Sequence, residues 1–494
     1  MSVKNQNTKI IFGLKLKQLR QEKELSFKDL AKSADMSVSY LNEIEKGKKY
    51  PKKDKIDALA EALNVDAEEL ISLEMKRGLA PVGELLRSNF LNELPLDLFG
   101  IELAKVAEII ANAPMRVGAF ISTLVELGRS YAVHEENFYH RAMRAYQELH
   151  YNYFEDIEKV ALELVEKSDL SVGSPVTVDA LAKVLKKELR YKIDFDGLKD
   201  HPALSSLRAV FIPKSKKLLL NGNLTDNQKA FQIGKELGFH YLKLKERANT
   251  SSLLQANNFE EVLSHYKASY FAVALLINRD TFVKDVEDFF SMKKWNGQAF
   301  LALMEKYQVS PEMMFQRLTS ILPRFFNLPK LYFIRCVHDP DKKSFEIDKE
   351  LHLNHKHHPH GNGLFEHYCR RWQSLSLLSD LHQLQNEGKY AGTLVGAQRS
   401  TYHETNDEYI SFTLSRAAYP KPNKNVSVTI GLLLDDSLKE KIKFWNDPSI
   451  SVREVNNTCQ RCPIENCADR AAPATIIDRR KRTKEITDKL MDLT

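Results

Sequence analysis

Apolar residues recur every three or four positions through the first seventy residues, the spacing of helices that bury one face. Residues 10–23 (IIFGLKLKQLRQEK), 54–63 (DKIDALAEAL) and 64–73 (NVDAEELISL) each predict one such helix. Between the first two lies SFKDLAKSADMSVSYLNEIEKG, residues 26–47, which predicts two short helices around a turn. Ser26 caps the first, with Phe27, Leu30 and Ala31 on its buried side. Ala34-Asp35-Met36 makes the turn. Ser37 caps the second, whose Val38, Leu41 and Ile44 point inward, and Gly47 stops it. Residues 96–167 continue helically, with stripes at Leu103, Val106, Ile109 and Ile110 and again at Ile157, Val160, Leu164 and Val165. After a turn at 172–175 the pattern mixes. A helix (VDALAKVLKKEL) precedes strand-like YKIDFD and AVFIPKSKKLLLNG, then a helix over 226–242 capped by Thr225 or Asp226, and a long one over 260–282. Ser310-Pro311 opens another helix. From residue 331 strands dominate (KLYFIRCV, ISFTLSRAAY, VSVTIGLLL), with a helical QSLSLLSDLHQLQ between the first two.

The inward stripe of the second short helix leaves Ser39, Tyr40, Asn42, Glu43 and Lys46 facing out, with side chains suited to base edges in a DNA major groove. From Lys4 to Lys55 there are 14 Lys and Arg against 7 Asp and Glu. Six lysines (Lys46, Lys48, Lys49, Lys52, Lys53, Lys55) crowd the exit of that helix, where phosphates would lie. The bland alternative is a helical bundle with a solvated basic face. The stretch LRQEKELSFKDLAKSADMSVSYLNEIEKGKKYP resembles the Cro and phage-repressor-like (XRE) helix-turn-helix family. That resemblance implies a double-stranded DNA operator as partner, with Phe27, Lys28, Ser37, Ser39, Tyr40, Asn42, Glu43, Lys46 and Lys48 at the interface. The family usually carries Gln where this chain has Phe27, which removes one phosphate-positioning hydrogen bond.

At 494 residues the chain is long enough for about three domains. Hydrophobic content of 43% and charged content of 28% suit a soluble protein. The net charge of +6 is small, so the basic bias is local to the N-terminus. No run approaches the roughly 18 to 20 apolar residues of a membrane span, and MSVKNQNTKI has no apolar signal core. Five cysteines are too few for a disulfide-stapled secreted domain. The expectation is a cytoplasmic protein with no membrane contact.

The middle segment, with its order of helix, strands, helix and then A-x-x-FA-x-x-LL (ASYFAVALL, residues 268–276), resembles the ImmA/IrrE-like zinc peptidase domain. That family carries His-Glu-x-x-His, two imidazoles on one helix face holding zinc and a Glu acting as base on the bound water. Here the positions read Lys235-Glu236-Leu237-Gly238-Phe239. Glu236 remains, both histidines are gone, and His240 is turned about 140° from Lys235. The position of the third ligand, a Glu in the family, is His265. Lys235, Glu236, Phe239 and His265 thus form a degenerate peptidase site and predict a scaffold, not an enzyme. Lys235 could neutralise Glu236 or meet an anionic ligand.

Cys459-Gln-Arg-Cys462-Pro-Ile-Glu-Asn-Cys467 places three thiols in nine residues, a density core packing does not explain. Their spacing lets three thiolates converge on one centre. Cys369 is available as a fourth if strand pairing brings it close. Cys336, inside a strand, reads as a buried small hydrophobe. A structural zinc, an iron–sulfur cluster and a redox-active Cys459/Cys462 pair all remain open on spacing alone. His352, His355, His357, His358 and His360 lack regular spacing and read as a solvated loop, as do Lys214, Lys216 and Lys217 beside their turn. The run 478–482 (DRRKR) is a solvated charge run.

CRRW, followed about ninety residues later by CQRCPIENCADRAAP, resembles the C-terminal domain of the short-chain fatty acyl transcriptional regulators. The likeness spans essentially the whole chain. It implies acyl-CoA or CoA sensing and a 4Fe–4S cluster on Cys369, Cys459, Cys462 and Cys467. The expected architecture is multidomain: an all-α helix-turn-helix head (1–76), a helical connector (77–170) suited to a homodimer, an α+β degenerate zincin-like domain (171–330), and an α+β C-terminal sensor domain (331–494). The expected function is metabolite-responsive transcription regulation. A redox-sensing regulator and, from the enzyme class, a zinc metallopeptidase of a partner repressor are the alternatives.

Overall fold

The computed structural model describes residues 3–73, 135–168, 170, 175–251, 258–342, 344–353, 366–390, 392–403, 405–419 and 423–493. Most of the expected connector, with Leu103, Val106, Ile109 and Ile110, lies outside the described residues, as do His355, His357, His358 and His360. The chain divides into two compact units, Met1–Tyr146 with Gln255–Phe259, and Gln147–Leu254 with Glu260–Thr494. Among the described residues no helix is long and apolar enough to cross a membrane.

The first unit holds α1 (Val3–Glu22), α2 (Phe27–Ser33), α3 (Val38–Glu45), α4 (Lys53–Leu63) and α5 (Ala67–Ile71) around Phe12, Leu16, Leu30, Leu41, Ile44, Leu59, Leu63 and Leu70. Both predicted caps form. Ser26 and Asp29 make a capping box, and Ser37 Oγ accepts from the Tyr40 amide at 3.1 Å. Gly47 (φ +68°) ends α3, with the Lys48 amide donating to the Glu43 carbonyl at 2.9 Å. The last turn of α3 presses on α1 at Gly13, where a Cβ would lie 2.4 Å from the Ile44 carbonyl oxygen. Val38 corrects the sequence reading: it is 42% exposed. It stands in the first turn of α3, and the core is met by Leu41, Ile44 and Glu45 instead.

α6 (Glu135–Leu149) runs into the second unit, which continues with α7 (Glu155–Lys167) and α8 (Val178–Leu189). A three-stranded sheet follows, β1 (Lys192–Asp194), β2 (Ala209–Ile212) and β3 (Lys217–Leu220), in the order β1-β3-β2. α9 (Asp226–Tyr241) starts at the expected Thr225 cap. The predicted helix over 260–282 is two, α10 (Phe259–Leu276) and α11 (Arg279–Phe290). Asn278 breaks it because its side chain accepts from the amides of Asp280 and Thr281, capping a fresh helix. α12 (Gly297–Lys306) and α13 (Pro311–Phe325) complete the helical layer. A buried Arg317–Glu158 pair, with Tyr270 donating to the same carboxylate at 2.7 Å, ties α13, α7 and α10 together.

The second sheet contains β4 (Leu331–Asp339), β5 (Ser344–His352), β6 (Leu394–Tyr402), β7 (Glu408–Ala417), β8 (Asn425–Leu433) and β9 (Ser451–Val455) in the order β5-β4-β8-β7-β6-β9. α14 (Gln373–Asn386) covers one face through Leu375 and Leu378 against Ile334, Cys336 and Tyr409. Phe412 on the other face stacks on Trp295, which precedes α12, at 5.3 Å. α15 (Asp436–Lys441) follows β8. The basic run 478–482 lies on α16 (Thr475–Leu493) and is exposed. Strands β5, β6 and β9 had no alternating signal strong enough to be read from sequence.

Candidate nucleic-acid interface and the buried polar centres

On α3, Ser39 and Lys46 are exposed, Asn42 is half-buried, and none of their side chains makes a hydrogen bond among the described residues. Lys28, Ser37 and Lys48 are exposed as well. Glu43 is engaged by Lys49 at 2.7 Å, and the Lys49 ammonium lies 5.6 Å from the centre of the Tyr40 ring. Tyr40 itself leans on the core. Phe27 is also claimed by the interior. Its ring supports the Arg20 guanidinium at 4.1 Å, and Arg20 holds the buried Glu45 at 2.7 and 3.0 Å. The aromatic ring thus anchors α1 to α3. That stack was not foreseen, although a buried Glu at a helix end requires a cation.

The degenerate centre stands where α9 packs on α10. Gly238 permits that approach, since a Cβ there would lie 3.0 Å from Phe271. Lys235, Glu236, Phe239 and His265 do come together, with partners the sequence did not name. Lys235 does not neutralise Glu236. Arg247, in the segment after α9, grips that carboxylate in two bonds of 2.8 and 2.9 Å while lying 4.0 Å over the Phe239 ring and 4.5 Å over Phe211. A planar guanidinium satisfies both oxygens at once and stacks on apolar rings, which an ammonium cannot do. Lys235 Nζ instead donates to the Ser251 carbonyl at 2.9 Å and lies 3.0 Å from His265 Nδ1. His265 Nε2 accepts from the Ala248 amide at 3.2 Å, which leaves Nδ1 and Lys235 Nζ to share a proton between them. Burial drives both groups the same way. The Lys235 pKa falls to about 7, and that of His265 to about 3, helped down by the neighbouring Lys235 and Arg247. Phe239 offers no lone pair and Lys235 occupies the position of the first imidazole, so the centre lacks the donor set of a zinc peptidase.

The cysteines gather at an isolated antiparallel bridge between Tyr368 and Thr458. The Cys369 amide donates to the Asn457 carbonyl at 3.1 Å, and the Cys459 amide to the His367 carbonyl at 2.9 Å. The bridge closes the ninety residues of chain between Cys369 and Cys459. Glu366 and Arg461 clamp the two segments at 2.7 and 2.8 Å. Arg470 braces the loop by donating to the carbonyls of Cys459 (2.9 Å) and Cys462 (3.2 Å), and the Ala471 amide points at Cys459 Sγ at 3.3 Å. Cys369, Cys459 and Cys462 are buried and Cys467 is partly exposed. Burial raises the Cys369 thiol to about 11 and pushes Cys462 up too. Arg370 is set over the Phe345 ring at 4.0 Å, burial lowers its pKa, and its buried NH1 has no hydrogen-bond partner among the described residues. Cys336 is separate, fully buried under α14, its thiol raised to about 12 by burial. Among the described residues no three Cys, His, Asp or Glu side chains converge as ligands of one metal ion.

Residues 11–73 match the helix-turn-helix domain family. The N-terminal segment is a helix-turn-helix domain. Residues 192–319 match the IrrE N-terminal-like domain, so the Lys235 centre lies in an IrrE-like domain. Over 497 positions the chain is 22% identical to the HTH-type transcriptional regulator RamB of Mycobacterium tuberculosis, covering 94% of this chain and 95% of that protein. The HTH-type transcriptional regulator DdrOP3 of Deinococcus deserti is 35% identical over 57 residues, 12% of this chain and 44% of that protein. A solved Mycobacterium tuberculosis transcriptional regulator superposes with a TM-score of 0.46 at 20% identity, covering 68% of this chain and 94% of that one. The four clustered cysteines lie outside both matched domains.

Proposed function

We propose that this chain is a cytoplasmic, homodimeric, DNA-binding transcriptional regulator whose C-terminal region senses a small metabolite, a short-chain acyl-CoA. The carrying observation is α3: a capped, basic-flanked second helix of a helix-turn-helix domain whose Ser39, Asn42 and Lys46 side chains are not engaged by the described residues. The full-length likeness to RamB supports the regulatory role. A homodimer would present two such helices to half-sites about one turn apart. The IrrE-like domain is a scaffold, and its satisfied Lys235 centre argues against peptidase activity.

Cys369, Cys459, Cys462 and Cys467 would hold a 4Fe–4S cluster. The bridge that sets Cys369 beside the Cys459–Cys467 segment favours it, with Arg370 NH1 left without a partner among the described residues. A cluster presents one iron to each thiolate, so four thiols need not converge on one point as for a single zinc. Bound there, the cluster would supply sensitivity to oxygen and redox state, which supports a second reading in which the redox state is the input. The test is anaerobic purification with iron and zinc counts and an absorbance spectrum, paired with a salt-controlled shift assay on the chain's own promoter region. Broad absorbance with iron, lost in Cys462→Ala, is expected; colourless zinc-loaded protein overturns the cluster. Failure to bind any promoter DNA overturns the regulator.

A further inference from the structure

Helix α16 is exposed at every position from Asp478 to Asp492. Its start is held to the cysteine segment: the Ile476 amide donates to the Gln460 carbonyl at 3.1 Å, and Lys481 reaches Glu465 at 3.7 Å. A helix so exposed gains little from the packing of an apolar face, the main source of helical stability in proteins. Yet α16 has such a face. Ile476, Thr483, Ile486 and Leu490 recur at steps of seven, three and four, the spacing of a coiled-coil seam. Thr483 spends its hydroxyl on the Arg479 carbonyl at 3.0 Å, so its methyl is what it offers the stripe. Ile486 and Leu490 are 53% and 58% exposed.

The charges along α16 are segregated. Residues 478–484 carry five basic side chains and one acidic, and residues 485–492 carry three acidic and one basic. The last turn holds Asp492 and no basic residue, the wrong sign for the negative end of the helix dipole. A second α16 laid antiparallel corrects this. It sets the basic half of each helix against the acidic half of the other, opposes the two dipoles and covers both apolar stripes. A parallel pair would face basic half with basic half. A phosphate backbone or an anionic membrane would complement the basic half alone.

We propose that α16 pairs antiparallel with the α16 of a second copy of this chain. The interface rests on the homodimer proposed above and gives it a contact separate from the connector. Sedimentation of the full-length protein over a range of concentrations tests it, with circular dichroism to check that each variant is folded. Ile486→Asp/Leu490→Asp should raise the dimer dissociation constant about tenfold or more, since both copies lose apolar contact. Arg480→Glu/Arg482→Glu/Lys484→Glu should do the same by setting acid against acid, and Asp488→Lys/Asp492→Lys by setting base against base. The two charge sets combined should restore dimerisation, a recovery that DNA, a membrane or a parallel pair does not produce. Loss in each set without that recovery overturns the antiparallel arrangement. Wild-type dimers indifferent to all these substitutions overturn the contact and leave the homodimer standing. A wild type that sediments as a monomer overturns both, and the promoter shift assay then judges DNA binding by itself.

Discussion

Helices α3 and α9 both carry polar side chains at the positions that lend their domains a chemistry, and they treat them in opposite ways. On α3, Ser39, Asn42 and Lys46 make no side-chain hydrogen bond among the described residues and are open to water. On α9, Glu236 is bound by Arg247, and Lys235 by Ser251 and His265. An exposed donor keeps its water until a ligand replaces it, whereas a buried one must find its partner inside the fold. A helix with unspent groups is equipped to recognise. One whose groups are consumed internally has become architecture.

That contrast is broken most severely at Arg247. Arg247→Ala leaves Glu236 buried and unpaired, and should cost about 3 kcal/mol or more, read as a denaturant midpoint. Operator affinity of the folded fraction should not change. If stability is unaffected, the α9 centre is not self-satisfied and the comparison fails. The same centre sets a pH dependence. Between about pH 7 and 10.5 the unfolded chain carries a Lys235 proton that the folded chain lacks, so stability should climb as pH rises through that window. Below pH 6.5 the same logic applies to His265, whose folded pKa is about 3, and stability should fall with acid. Lys235→Met should flatten the alkaline slope in melting curves taken across the window.

On the other helix the effects move to binding. Asn42→Ala or Lys46→Ala should weaken specific operator binding by about 1–3 kcal/mol with an unchanged melting temperature. A matching loss of stability would mean that α3, like α9, spends its polar groups inside the fold. Ser37→Ala is the smallest and touches both readouts, since the lost cap costs about 1 kcal/mol of helix stability. Circular dichroism melting together with the shift assay separates the two.

Much of the head was legible because its determinants are local. Ser26, Ser37 and Gly47 act within three or four residues of themselves, and the Leu41–Ile44 stripe needs only the helical period. Val38 was misplaced because its exposure depends on where the neighbouring helices end, which periodicity does not encode. Asn278 was missed because the apolar run on either side of it hides a capping residue. The loss of both zinc-binding histidines was readable from the order of five residues. What replaced them was not, since Arg247 stands eleven residues from Glu236 and His265 thirty from Lys235.

The sequence by itself determined the capped helix pair, the basic flank, the missing histidines and the unusual density of thiols, all set by residue type and short spacing. Only the tertiary structure decided which charges meet. Arg20 closes on Glu45, Arg247 on Glu236, and the Tyr368–Thr458 bridge delivers Cys369 to the other cysteines. A cap or a period is enforced over a single turn of chain, but an ion pair or a gathered site exists only after distant segments have packed.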